Sequence, residues 1–155
     1  MIAMEKVKLF EEVNFSKLFA GDSFAYCPIN CGLKEEGKLF NILDEVCKFE
    51  GLVPLNGEWN KLSFSECSDL LLNALRYDLV FTMCERMPLA EAYRIQKSIL
   101  EEINSNECVC YTNWFKSPWD SGESSWNSIS ECTFDIAIVF IDESKVLFTY
   151  IVGED

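Results

Sequence analysis

The stretch "TFDIAIVFIDESKVLFTYIVGED", from Thr133 to Asp155, decides the fold of this chain. Its first part places apolar side chains on both faces of an extended strand. One face carries Phe134, Ile136, Ile138 and Phe140, and the other carries Ala137, Val139 and Ile141. A strand that is apolar on both faces is typical of a central strand covered by other layers. "DESK" then reads as a turn, and "VLFTYIV" returns antiparallel. The sequence therefore predicts a buried antiparallel hairpin.

Three amphipathic helices are predicted upstream of this hairpin, and a strand-forming run, "CVCYTNWF", joins them to it. The predicted helices are Lys38–Glu50, Phe64–Tyr77 and Leu89–Ile103. Ser63 and Glu66 form a capping box before the second helix, and Pro88 suits the first position of the third. Helices followed by strands indicate an α+β fold. We expect residues 1–155 to form a single α+β domain, with several helices packed on a C-terminal antiparallel sheet.

Some segments stay open at this level. The run that contains Val7 and Leu9 fits either a strand or a helix, and "FSKLFAGDS" reads as a short helical turn that ends at Gly21. "DLVFTMC", after the second predicted helix, either prolongs that helix or forms a buried strand.

The charge of the chain is strongly acidic, with 26 Asp and Glu against 13 Lys and Arg and a formal net charge of −13. Binding to nucleic acid or to an anionic membrane requires cations, so both kinds of partner are disfavoured. A cationic protein partner is favoured, because opposite charges speed the encounter. The alternative reading is that the charge serves solubility alone.

The commonest general base is absent from the sequence, although carboxylates and lysines remain. The chain has no histidine, and it contains neither a P-loop nor a dinucleotide-binding glycine motif. We expect no enzymatic activity and no cofactor. Cys27-x-x-x-Cys31 and Cys108-x-Cys110 have spacings that zinc sites use, which keeps a cysteine-ligated zinc module open as an alternative. The favoured interpretation of the eight cysteines is reduced, buried side chains in a cytoplasmic protein that binds no metal.

The stretch "WFKSPWDSGESSW", Trp114–Trp126, concentrates three of the four tryptophans in a turn-like segment. The part of the chain after Asn106 also carries nine acidic residues against two lysines. Tryptophan is enriched at binding hot spots, and carboxylates around it suit a partner's Lys and Arg. The predicted partner-binding residues are Trp114, Trp119, Asp120, Glu123, Trp126 and Glu131. The alternative is that the tryptophans fold back and cap the end of the sheet.

The segments "YTNWF…SWNSISECTFDIAIVFIDESKVLFTYIVGED" and "MPLAEAYRIQKSILEEI" resemble a group of small bacterial cytosolic immunity proteins. Proteins of that group are encoded beside polymorphic or contact-dependent toxins and bind them without catalysis. The resemblance implies an immunity protein that neutralises a cognate toxin domain by blocking its active site. Because a nuclease must be cationic to hold nucleic acid, an acidic binder suits a basic, possibly nucleolytic toxin. The alternative function is an acidic adaptor or regulatory protein-binding domain.

Overall fold

Six strands and four helices follow one another in the computed structural model, which describes residues 4–9, 14–120, 122 and 124–154. In chain order they are β1 (Glu5–Lys8), α1 (Phe15–Leu18), β2 (Gly21–Cys27), α2 (Glu36–Phe49), β3 (Asn60–Leu62), α3 (Phe64–Arg76), α4 (Leu89–Leu100), β4 (Cys108–Thr112), β5 (Phe134–Asp142) and β6 (Val146–Gly153). The strands form one sheet in the order β1-β2-β6-β5-β4-β3. Every neighbouring pair is antiparallel. The α+β class predicted from the sequence is confirmed.

The predicted hairpin is the centre of this sheet. β5 lies between β6 and β4, so that Ile138 is opposite Thr149 on one side and opposite Thr112 on the other. Except for its first residue, β5 is buried along its whole length. The apolar pattern on both faces of this strand therefore predicted its place correctly.

Helices cover both faces of the sheet, and each face has its own hydrophobic core. Ile136, Ile138 and Phe140 pack in the core that holds the buried faces of α3 and α4. Ala137, Val139 and Ile141 pack in the other core, which holds α2. The two-residue repeat of β5 thus supplies both cores from one strand. No helix in the described part of the chain is long and apolar enough to cross a membrane.

The sequence predicted a sheet made from the C-terminal part of the chain, but the sheet also includes three strands from the N-terminal half. β1 and β2 extend it beyond β6, and β3 extends it beyond β4. The sequence predicted a short helical turn that ends at Gly21. That helical turn ends earlier, at Leu18, and Gly21 is the first residue of β2.

Gly21 has a steric role at this point. It lies opposite Ile151 on β6, and a Cβ atom added there would stand 1.9 Å from the backbone oxygen of Tyr150. Glycine is the residue that permits such a close approach between two backbones. The same glycine that reads as a helix stop therefore joins β2 to the central hairpin.

The helix predictions are confirmed in position, with ends that differ by a few residues. The capping box is formed: Ser63 Oγ accepts a hydrogen bond from Glu66 N–H, and the Glu66 carboxylate accepts one from Ser63 N–H. α3 and α4 end slightly earlier than predicted, at Arg76 and Leu100. "DLVFTMC" forms neither a helix nor a strand but a turn, in which the Asp78 carboxylate accepts hydrogen bonds from the backbone N–H groups of Val80 and Phe81.

The turn between β5 and β6 is organised by a buried carboxylate. Asp142 accepts hydrogen bonds from the backbone N–H groups of Ser144, at 2.8 Å, Lys145, at 2.9 Å, and Asn104, at 3.1 Å. Burial raises the cost of the charge, but these donors outweigh it, and the pKa of Asp142 is lowered. A carboxyl group whose pKa is lower in the folded chain stabilises the fold above its unfolded pKa, and this contribution is lost as the pH falls.

We expect Asp142→Asn to lower the free energy of unfolding at pH 7 by about 1–3 kcal/mol, because the new amide presents a donor where three N–H groups need acceptors. Unfolding of the natural chain should become easier as the pH falls below about 4, the unfolded pKa of aspartate, and the variant should show a weaker dependence. Chemical denaturation at several pH values measures both effects. An equal pH dependence in the two proteins would contradict this role.

Candidate partner-binding site

The segment Trp114–Trp126, predicted as a partner-binding site, is closed at its base; we call it the aromatic loop. Trp114 and Trp126 form an antiparallel bridge. On either side of it, Phe115 N–H donates to the Ser125 carbonyl and Asn127 N–H to the Asn113 carbonyl, each at 2.9 Å. The loop therefore leaves β4 and returns toward β5 as a closed unit.

Trp114 belongs to the core and not to the surface. Its side chain is 3% exposed, and its indole Nε1–H donates to the Asp135 carbonyl at 2.7 Å. Its ring stacks on Trp126 with centroids 4.3 Å apart, and Trp126 stacks in turn on Phe134 at 5.6 Å. These rings cover the end of the α3/α4 core, as the alternative reading of the loop expected for Trp114.

A buried carboxylate holds the returning end of the loop. Asp135 accepts hydrogen bonds from Asn113 Nδ2 at 2.8 Å, from Ser130 Oγ at 2.7 Å, and from the backbone N–H groups of Ile129 and Ser130. Burial raises the pKa of Asp135, although these hydrogen bonds favour the charged form. The contacts fix the segment around Ile129 against the base of the aromatic loop.

The other predicted residues that the structure describes are more accessible than Trp114. Trp119 is half-buried and donates from its indole Nε1–H to the Asp78 carbonyl at 3.1 Å. Asp120 and Glu131 are exposed, and Glu123 lies outside the described residues. A turn closed by Asp120 N–H and the Ser117 carbonyl presents Asp120. Phe115, which was not among the predicted residues, is 57% exposed.

A groove of about 340 Å³ separates the first part of this loop from α3. Its walls include Trp114, Phe115 and Asp120 from the loop. They also include Asn60 from β3 and a polar stripe of α3 formed by Glu66, Asp69 and Asn73. Trp126 and Glu131 do not line it. The structure thus brings two of the predicted residues, Trp114 and Asp120, to one groove and leaves Trp119, Trp126 and Glu131 outside it.

The groove is acidic. Three carboxylates, Glu66, Asp69 and Asp120, stand in its walls against one cation, Lys116. The hydrogen bond from Ser63 N–H lowers the pKa of Glu66, so this group is charged at neutral pH. Clefts lined by one sign of charge concentrate the opposite charge, so the groove suits a lysine or arginine side chain. Exposed Phe115 at its rim adds an apolar contact.

Sequence reasoning missed the contribution of α3 to this site. Glu66, Asp69 and Asn73 follow one another at three and four residues, a spacing that places them on one face of a helix. That stripe was visible, but nothing in the sequence shows that it faces a loop more than forty positions away.

The alternative of a zinc module depends on the cysteines. All eight are free thiols, and Cys108 and Cys110 share one face of β4, with their Sγ atoms 4.0 Å apart. In the described residues, no group of three or more Cys, Asp or Glu side chains is placed to hold a metal ion. Burial raises the pKa of Cys47 to about 12, so its thiol stays protonated at neutral pH.

Comparisons with protein-family models, with curated proteins and with solved structures gave no match.

Proposed function

We propose that this chain is an immunity protein: it binds a basic bacterial toxin domain and blocks that domain's active site. The observation that carries the proposal is the acidic groove between α3 and the aromatic loop, with Phe115 exposed at its rim. An aromatic contact beside carboxylates that can pair with cations is a common form of binding hot spot. The resemblance of the loop and hairpin segments to immunity proteins points in the same direction.

The charge of the whole chain supports a basic partner. A net charge of −13 attracts a cationic domain over distances of about a Debye length, which is ~8 Å at physiological salt. The groove then supplies a local site for one cationic side chain of that domain. A nuclease presents such side chains where it holds nucleic acid, so an acidic protein bound there would exclude the substrate.

The mode of action is binding without chemistry. The chain has no histidine to act as a general base, and the carboxylates of the groove face a cleft that suits recognition of a cation. The proposed location is the cytoplasm, where eight free thiols remain reduced. A toxin that attacks nucleic acid would act in that compartment, so its immunity protein would have to bind it there.

The first test asks whether a toxin-like gene lies directly upstream of the gene for this chain; its absence would favour an acidic adaptor. We call the toxin domain that such a gene encodes the neighbouring toxin domain. Co-expression of this chain should restore the growth of cells that produce the domain, and the two purified proteins should form a complex with one copy of each. A related chain that protects against a different toxin is the control for specificity. The absence of both protection and a complex at micromolar concentrations would contradict the proposal and favour an acidic adaptor.

A further inference from the structure

The segment Asp78–Glu85, which we call the α3–α4 turn, exposes two large apolar side chains. Phe81 is 64% exposed and Met83 is 95% exposed. Leu79, two residues before Phe81, is buried in the α3/α4 core and anchors the segment. The fold uses Leu79, whereas Phe81 and Met83 extend into solvent.

The α3–α4 turn is fixed by hydrogen bonds. The Asp78 carboxylate accepts from Val80 N–H at 2.9 Å and from Phe81 N–H at 2.7 Å. Cys84 N–H donates to the Phe81 carbonyl at 2.8 Å, and Asp78 N–H donates to the Cys84 carbonyl at 2.9 Å. The backbone of the turn is therefore already ordered before a partner binds at Phe81 and Met83, which lowers the entropic cost of binding.

This turn is continuous with the acidic groove. α3 carries Asp69 and Asn73 along the groove and ends at Arg76, just before the turn begins. On the other side, Trp119 of the aromatic loop donates its indole Nε1–H to the Asp78 carbonyl. The groove, the aromatic loop and the α3–α4 turn thus form one surface.

Of the two arginines that flank the turn, Arg76 is paired with a carboxylate, whereas Arg86 keeps its positive charge. Arg76 pairs with Glu85 at 3.2 Å. Arg86 donates to the Leu18 carbonyl at 3.2 Å, and its guanidinium lies 4.9 Å from the centre of the Phe19 ring. Arg86 thus leaves one positive charge beside the turn, while three carboxylates line the groove.

We propose that the α3–α4 turn is the second anchor of the docking surface, an inference that rests on the proposed function. Phe81 and Met83 enter an apolar pocket of the toxin domain, while a cationic side chain near that pocket occupies the groove. Aromatic residues and methionine are enriched in the buried centres of protein interfaces. The partner is accordingly a basic domain that presents an apolar pocket beside its cationic site.

The test compares two double variants. Phe81→Ser with Met83→Ser should weaken binding of the neighbouring toxin domain about thirtyfold, mainly through faster dissociation, as the loss of a hot spot does. The control is Phe49→Ser with Val53→Ser, which removes two side chains that are 56% and 46% exposed; Phe49 ends α2, on the opposite face of the sheet. The control should bind within about threefold of the natural chain.

A second measurement does not depend on any substitution. Cys84 is exposed within the turn, whereas Cys31 is half-exposed and lines a pocket beside α2. The neighbouring toxin domain should slow the alkylation of Cys84 by N-ethylmaleimide and leave Cys31 unchanged. If the natural chain does not bind the domain, the proposed function and this inference both fail. If it binds, but the turn variant binds equally well and Cys84 still reacts at the free rate, this inference alone fails. Protection of Cys84 in a dimer of this chain would also overturn it, with a second copy as the occupant.

Discussion

Replacing Trp114 by alanine will lower the free energy of unfolding by about 3–5 kcal/mol, the range for truncating a large aromatic side chain in a core. Three contacts are lost together. The Trp126 ring loses its stacking partner at 4.3 Å, the Asp135 carbonyl loses the indole donor, and the α3/α4 core loses its cover. For a chain of this size, about 2–4 °C of melting temperature per kcal/mol gives a fall of roughly 6–20 °C.

The matched control is Phe115→Ala, one residue further along the chain. Phe115 is 57% exposed against 3% for Trp114, so its removal should change the free energy of unfolding by less than about 0.5 kcal/mol. Denaturant unfolding followed by tryptophan fluorescence and circular dichroism measures both variants. Equal losses for the two, or a loss below about 1 kcal/mol for Trp114→Ala, would show that the stacked tryptophans do not close the core.

Reversing two charges in the groove, with Asp69→Lys and Asp120→Lys, will weaken binding of the neighbouring toxin domain by about a hundredfold or more. Both side chains line the groove, and both are exposed in the free chain, so neither supports the core. A lysine at each position would meet the partner's cations as a like charge, and such contacts cost several kcal/mol. A loss of about 2.8 kcal/mol already corresponds to a hundredfold change in affinity.

The sequence predicted the centre of the fold because that information is local. Alternation in β5 puts Ile138 on one face and Val139 on the other, and this pattern requires cover on both. The capping box at Ser63 and Glu66 likewise needs only neighbouring residues. Both features were read from a few consecutive positions, and both are present.

The outer strands could not be predicted in this way. β2, "GDSFAYC", begins with Gly, Asp and Ser, which are poor strand formers, and its stability comes from pairing with β6 more than a hundred positions away. β1 consists of exposed residues and has no apolar face to mark it. Tertiary pairing decides the structure of such segments, and propensity contributes little.

The positions of the aromatic side chains could be predicted in part. Trp114 continues the two-residue repeat of Cys108 and Cys110, which places it on the face of β4 that meets the α3/α4 core. Phe115 has the opposite parity and emerges at the rim of the groove. The groove itself was not predictable, because Asp69 and Asp120 meet only after α3 has packed against the sheet.

The most direct test of the account is a titration of the neighbouring toxin domain with the Asp69→Lys, Asp120→Lys variant beside a variant of equal net charge. The second variant carries Glu5→Lys on β1, at the far edge of the sheet, and Glu143→Lys in the turn between β5 and β6. That turn lies at the end of the strands opposite to the groove. Isothermal titration calorimetry should show a loss of about a hundredfold or more in affinity for the groove variant and less than about tenfold for the other. Equal losses would show that net charge alone governs the encounter, and would contradict the claim that the groove binds the partner.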